Sequence, residues 1–173
     1  MASVNSQDIT LQLAAPSDAQ AIATMSRDLI ESGLGWEYRP ERIRGLIADR
    51  DTVSLVARDG DRVMGFAIMS FGDERAHLVL MAVRLAGQRR GIARRMTQWL
   101  IESASTAGVA SVHLELRALN KDAHAFYRAL GFDETLRLPG YYRGRETAVR
   151  MIRVLRPPNV VAQPWRPPTR DRQ

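Results

Sequence analysis

Residues 77–83, HLVLMAV, make a run of strand length in which both alternating sets of side chains are apolar: Leu78, Leu80 and Ala82 on one side, Val79, Met81 and Val83 on the other. A strand patterned this way has to be covered on both faces, which places it at the centre of a sheet with helices above and below. The run leads to the turn Gln88-Arg89-Arg90-Gly91-Ile92-Ala93, which opens an amphipathic helix expected to dock through Ile92, Met96, Trp99, Leu100 and Ser103. Strand, glycine turn and helix in that order build an anion site. The first N–H groups of a helix have no partner inside it and sit at its positive end, where a pyrophosphate fits.

The rest of the chain arranges itself around that unit. Residues 9–13 read as a first strand, and Pro16-Ser17-Asp18 supplies an N-cap signal for a helix with Ile22, Met25 and Leu29 on one face, ended at Gly33 and Gly35. Pro40 starts a second helix that turns Ile43, Leu46 and Ile47 inward. The connector between them carries Trp36 and Tyr38, which either line an acceptor pocket or pack against the core. Residues 52–58, 62–71 and 75–83 then read as an antiparallel meander.

After the helix, residues 111–116 form a strand with Val112, Leu114 and Leu116 on one face and His113 and Glu115 on the other, Arg117 continuing the second set. Strand, helix, strand over this distance implies a right-handed parallel crossover. Asn120 caps a short helix with Ala123, Phe126, Tyr127 and Leu130 in an apolar stripe, ended by Gly131. Residues 132–138 and 148–155 close as a hairpin whose loop, 139–145, carries Tyr141 and Tyr142. The expected class is α/β (α+β): a central mixed, mostly antiparallel sheet of about seven strands with helices on both faces.

At 173 residues the chain suits one domain over residues 1–155, followed by a tail at 156–173 with five prolines and four arginines. That tail is expected to dock on its own subunit or on a neighbour, which leaves a homodimer open. Without cysteine, disulfide frameworks, thiolate metal sites and a cysteine nucleophile are excluded. No stretch approaches about 18 uninterrupted apolar residues and the N-terminus has no signal-peptide pattern, so the expectation is a cytoplasmic protein with no membrane partner. The net charge of +6 would permit a polyanion, but the basic residues are scattered arginines with Lys121 the single lysine, and aromatic residues are 6%. A nucleic-acid groove is therefore disfavoured.

Neither a Gly-Lys-Ser/Thr phosphate loop nor a GxGxxG turn is present, and the three histidines lack metal-ligand spacing, so no metal is expected. The pattern Gln/Arg-x-x-Gly-x-Gly/Ala, met at residues 88–93 after a strand and before a helix, resembles the acyl-CoA-binding motif of the GNAT superfamily of N-acetyltransferases. The segment NKDAHAFYRALGF at 120–132 resembles that family's second CoA-side motif. Together these cover roughly residues 9–155. The stretches LELRALN at 114–120, GYY at 140–142 and ETAVRM at 146–151 are similar to the bacterial ribosomal-protein-alanine N-acetyltransferases, which modify a protein N-terminus. Residues 36–38 and Thr147 depart from that subfamily.

The resemblance implies acetyl-CoA as donor, held by the backbone of Met81, Ala82 and Val83, by Gln88, Arg89, Arg90, Gly91, Ile92 and Ala93, and by Asn120 and Tyr127. It implies Glu115 as general base, Tyr127 as general acid, and Tyr141 and Tyr142 as part of the acceptor wall. The chemistry accords with those assignments. An α-amine has a reference pKa of about 7.7–8.0 against about 10.4 for lysine, so a carboxylate has less to do at an N-terminus. From the residues alone, Glu115 reads first as a carboxylate paired with its neighbour Arg117 or another arginine, Tyr127 as a packed aromatic, and Asn120 as a cap. Backbone N–H groups near residues 81–83 would hold the oxyanion if that strand parts from the strand at 111–116. The expected activity is acetyl transfer to the α-amine of a protein or peptide. A small-molecule amine acetyltransferase and a non-catalytic acyl-CoA-binding module are the alternatives; a groove open at both ends separates the first from a closed pocket.

Overall fold

The computed structural model describes residues 9–156. Seven strands form one sheet: β1 (Ile9–Leu13), β2 (Thr52–Asp59), β3 (Arg62–Phe71), β4 (Arg75–Val83), β5 (Ser111–Arg117), β6 (Asp133–Tyr142) and β7 (Glu146–Val154). Their spatial order is β1-β2-β3-β4-β5-β7-β6, and only β4 and β5 pair in parallel. The helices are α1 (Ala19–Leu29), α2 (Pro40–Ala48), α3 (Ile92–Ala107) and α4 (Lys121–Ala129). This is the mixed, mostly antiparallel sheet expected from the sequence. The Pro/Arg-rich segment lies outside the described residues except for Arg156, which donates to Gly108 O and Glu74 Oε2, both at 2.9 Å.

Two cores hold the layers. Leu55, Ala57 and Ala67 pack with Ile92, Met96, Leu100 and Tyr127 of α3 and α4, whereas Val56, Phe66 and Ile68 pack with Ile22, Met25 and Ile43 of α1 and α2. Successive strand residues point to opposite sides, so the helices cover both faces. Burying a side chain such as Leu100 or Phe66 contributes about 1.5–3 kcal/mol, which is why the apolar pattern dominates the outcome.

Several local expectations are corrected. The buried stripe of α3 runs through Ile92, Met96, Leu100 and Ala104 with Thr97 and Ile101, while Trp99 is 37% exposed. Thr97 tolerates burial because its hydroxyl donates to Ala93 O at 2.8 Å. Leu29 is 38% exposed because it lines an open cleft. Asp18 is not a side-chain cap of α1; its carboxylate accepts from Ala15 N at 2.8 Å and pairs with Arg58, tying the turn before α1 to β2. Strands β6 and β7 extend through most of the expected loop, because Gly140 at φ 68 forms a bulge that brings Tyr142 back opposite Glu146.

A second bulge shapes the centre of the sheet. Ile68 lies opposite Leu80 and Met69 opposite Leu78, so Val79 is an extra residue in β4. Leu78 and Leu80, two apart, consequently face opposite cores. The bulge falls just beyond the point where β4 stops pairing with β5.

Candidate active site

β4 and β5 are joined by only three residue pairs, Arg75 with Ser111, Ala76 with Val112, and His77 with His113. Beyond His77, β4 stays with β3, while β5 stays with β7 along its whole length. The strands part as the sequence reading required, and a cleft of about 780 Å³ opens between them. Its walls come from both faces: Asn120, Ala123 and Tyr127 from the α4 side, Glu31, Tyr38, Tyr141 and Tyr142 from the α1–α2 connector and the β6–β7 hairpin. His77, Met81 and Glu115 line it between them.

On β4, Arg84 N donates to Met64 O at 2.8 Å. Alternation along an antiparallel ladder then aims the N–H and C=O of Ala82 at β3 and those of Met81 and Val83 at the gap. Consistent with that, Val83 O accepts from Gln88 Nε2 at 3.0 Å, which ties the turn to the strand end. Arg89 at φ 58 and Gly91 at φ 77 are both left-handed, turn backbone of the kind from which anion-binding nests are built. Gly91 caps α3, and a Cβ built on it meets nothing within 4 Å, so no other group packs against that side of the turn. The first turn of α3 carries no acidic side chain. Ile92 is buried and anchors the turn, Ala93 and Arg90 are half-buried, and Arg89 is exposed. Residues 88–93 are not among the residues lining the cleft, whose β4 wall ends at Met81.

Glu115 is embedded in a network. Its Oε2 lies 2.6 Å from His77 Nε2 and its Oε1 2.8 Å from Arg150 Nε. The His77 hydrogen bond, and after it the Arg150 bond, hold the carboxyl below its ordinary range against the opposing effect of burial. Arg117, the partner suggested by adjacency, instead donates to Ile30 O and Ser32 O at 3.0 and 2.7 Å. Tyr127 is 7% exposed and held edge-on between Phe126 and Phe132, with ring centroids at 5.0 and 5.5 Å. Burial pushes its phenol far above the ordinary value, so it carries its proton at neutral pH. Asn120 Oδ1 caps α4 by accepting from Ala123 N at 3.1 Å while the residue also lines the cleft.

The aromatic candidates divide. Tyr38, Tyr141 and Tyr142 line the cleft. Tyr142 is pushed up to about 12, first by burial and then by the charge of its Tyr141 and Glu115 neighbours. Trp36 does not line it: its indole N–H reaches Ala23 O at 3.2 Å and Tyr38 O at 3.1 Å, pinning the connector to α1. Glu31, which the sequence reading passed over, folds that connector, its Oε1 accepting from Glu37 N at 2.6 Å and Tyr38 N at 3.2 Å. His77 and Arg150 were also missed; only their parity along the strands marks them as neighbours of Glu115. Among the described residues no group of three or more His, Asp or Glu side chains is placed to hold a metal ion.

Residues 22–132 match the family model described as acetyltransferase (GNAT) family. The ribosomal protein bS18-alanine N-acetyltransferase of Salmonella typhimurium is 39% identical over 94 residues, 53% of this chain and 64% of the relative. The match thus spans less than two thirds of that relative's length. N-alpha-acetyltransferase 30 of Schizosaccharomyces pombe is 29% identical over 129 residues, 72% of this chain and 86% of the other. The crystal structure of the ribosomal-protein-S18-alanine N-acetyltransferase from Escherichia coli matches with a TM-score of 0.76 at 25% identity, covering 88% of this chain and 97% of that one.

Proposed function

The chain belongs to the acetyltransferase (GNAT) family, and on that premise we propose that it transfers the acetyl group of acetyl-CoA directly to a primary amine, the N-terminal α-amine of a protein or peptide. The observation that carries this reading is the parting of β4 from β5, which opens one cleft lined by both Glu115 and Tyr127. The donor fits the residues around it. The left-handed backbone at Arg89 and Gly91, at the positive end of α3, suits a pyrophosphate, with Gln88, Arg90, Ile92 and Ala93 shaping the turn. Met81 and Val83 offer backbone groups at the strand edge alongside, whereas those of Ala82, expected to join them, are turned to β3; Asn120 and Tyr127 give the α4 wall. When bound, acetyl-CoA supplies an activated thioester.

The chain's own groups then divide the work. Glu115 is the negative charge toward which the amine proton moves, N–H groups of Met81 and Val83 face the gap where an oxyanion would develop, and Tyr127 presents an O–H to the departing sulfur. Complete proton transfer from a phenol raised by burial to a thiolate is uphill, at about 1.4 kcal/mol per pK unit. The role of Tyr127 is accordingly a hydrogen bond that strengthens as negative charge builds on sulfur.

The acceptor assignment draws on the relatives, whose names specify an alanine of a ribosomal protein and an α-nitrogen, and on a cleft walled from both faces of the sheet. Tyr38, Tyr141 and Tyr142 form the acceptor side, and the cytoplasm is the matching compartment. An acceptor screen by acetyl-CoA turnover tests the reading, with peptides beginning with Ala or Ser set against polyamines, amino acids and aminoglycosides. Peptides should be turned over with the higher kcat/KM. A preference for small amines would replace the acceptor, and failure of acetyl-CoA to raise the melting temperature would remove the enzyme reading altogether.

A further inference from the structure

The contact between His77 and Glu115 specifies more than an ion pair. A carboxylate held below its ordinary range carries no proton, so the 2.6 Å contact is a hydrogen bond donated by His77 Nε2–H. That fixes the tautomer: in neutral His77, Nδ1 bears the free lone pair. The other carboxylate oxygen is held by Arg150, which stands directly across the β5–β7 ladder from Glu115. A carboxylate gripped at both oxygens is a poor resting place for a proton. An imidazole is intrinsically more basic than a carboxylate by about two pK units and lies nearer the amine it must deprotonate.

Accessibility separates the two in the same direction. The His77 side chain is 43% exposed and the Glu115 side chain 11%, yet both line the cleft. A proton on His77 can reach solvent, whereas one on Glu115 is enclosed. Resting on the acetyltransferase reading above, we propose that His77, rather than Glu115 itself, takes the proton from the attacking amine, with Glu115 holding its Nε2–H and Arg150 holding Glu115. The amine nitrogen bonds to the thioester carbon, its N–H proton passes to Nδ1, and the carbon–sulfur bond breaks to release the thiolate. The thiolate recovers a proton from solvent while the imidazolium returns one, so both side chains end as they began.

Charged and titratable groups surround the His77–Glu115 pair from each neighbouring element: Arg75 on β4, His113 on β5, Arg150 on β7 and Tyr141 on β6. His113 is held below the usual imidazole range, by burial first and then by Arg75 and His77, so it does not compete for the proton near neutrality.

The test compares the full chain with His77→Gln and Glu115→Gln, measuring kcat at saturating acceptor peptide across pH together with ring titration of His77 by NMR in the acetyl-CoA complex. His77→Gln should lower kcat by about 100-fold, the size of general-base contributions, and abolish the acid limb of the profile. Its KM for acetyl-CoA and its thermal stabilisation by acetyl-CoA should stay near wild type, which separates lost chemistry from lost folding. Glu115→Gln should move the His77 titration to lower pH. An unchanged kcat in His77→Gln, an acid limb that persists there and disappears only in Glu115→Gln, or a His77 titration indifferent to Glu115 would each overturn the proposal. Absence of turnover by the wild-type chain on any α-amine counts against the acetyltransferase reading instead, and the ring titration still decides whether the two residues act as a pair.

Discussion

Glu115 and Arg150 face each other across the β5–β7 ladder and join through a 2.8 Å hydrogen bond between Oε1 and Nε. The carboxylate is largely enclosed while the guanidinium is about a third exposed, so the pair is only partly screened. Arg150→Met should therefore destabilise the protein by about 1–3 kcal/mol at pH 7, the range for a hydrogen bond to a charged group. The sign of the pH dependence follows from the depressed folded-state pKa of Glu115. Its stabilisation is complete above the carboxyl's unfolded pKa and lost as pH falls through the folded value. Denaturant unfolding of wild type and variant should thus differ at pH 7 and converge in acid below the ordinary carboxylate range.

Gly91 sits at φ 77 with open space where a Cβ would project. Gly91→Ala should cost about 1–2 kcal/mol of stability through the left-handed backbone alone. The added methyl also projects into open space beside the proposed pyrophosphate turn, so KM for acetyl-CoA should rise at least several-fold while kcat at saturation changes less. Thermal unfolding with and without acetyl-CoA, alongside steady-state kinetics, separates the two effects. An increase in KM absent from the variant would place the pyrophosphate elsewhere.

These consequences rest on features of unequal visibility in the sequence. The double-sided apolar pattern of residues 77–83 and the glycine turn at residue 91 are local, so strand, turn and helix could be read directly. The bulge at Val79 could not, since in a run where every residue is apolar an inserted residue leaves no break in alternation. Trp99 and Thr97 show the opposite problem: hydrophobicity favoured the indole, but the docking angle of α3 buried the threonine, whose hydroxyl found Ala93 O. The setting of Glu115 was hidden for a third reason. Its partners are 38 and 35 residues away along the chain, and only the strand order β4-β5-β7 brings them together.

Tyr127 offers a test in which the fold should hardly change. Its ring packs between Phe126 and Phe132, contacts that phenylalanine retains. Tyr127→Phe should keep acetyl-CoA-dependent thermal stabilisation yet lower kcat by about 100-fold, within the range for acid–base and oxyanion donors. Because burial raises the phenol of Tyr127 and brings that of Tyr142 up to about 12, neither group ionises near neutrality. The wild-type pH profile should accordingly show no descending limb below about pH 10, the reference tyrosine value. A wild-type rate in the phenylalanine variant would remove the hydroxyl from the chemistry.

Trp36 and Tyr142 should fail in different ways, although both are aromatic residues near the acceptor side. The Trp36 N–H bridges Ala23 O and Tyr38 O, and Arg27 and Arg39 each lie 5.2 Å from its ring. Trp36→Phe leaves those two carbonyls short of a donor, a loss of about 1–2 kcal/mol, but touches no cleft surface. Tyr142 lines the cleft edge-on to Tyr141 at 5.0 Å, so Tyr142→Ala removes wall rather than scaffold. The tryptophan variant should show a lower melting temperature and a peptide KM within about twofold of wild type, since its effect stays with the connector. The alanine variant should raise peptide KM by about tenfold or more, as truncating a tyrosine in a binding wall commonly does, with KM for acetyl-CoA little altered. If Trp36→Phe instead raised peptide KM without loss of stability, the connector would be acting on the acceptor directly and the acceptor wall would have to be redrawn around residues 36–38.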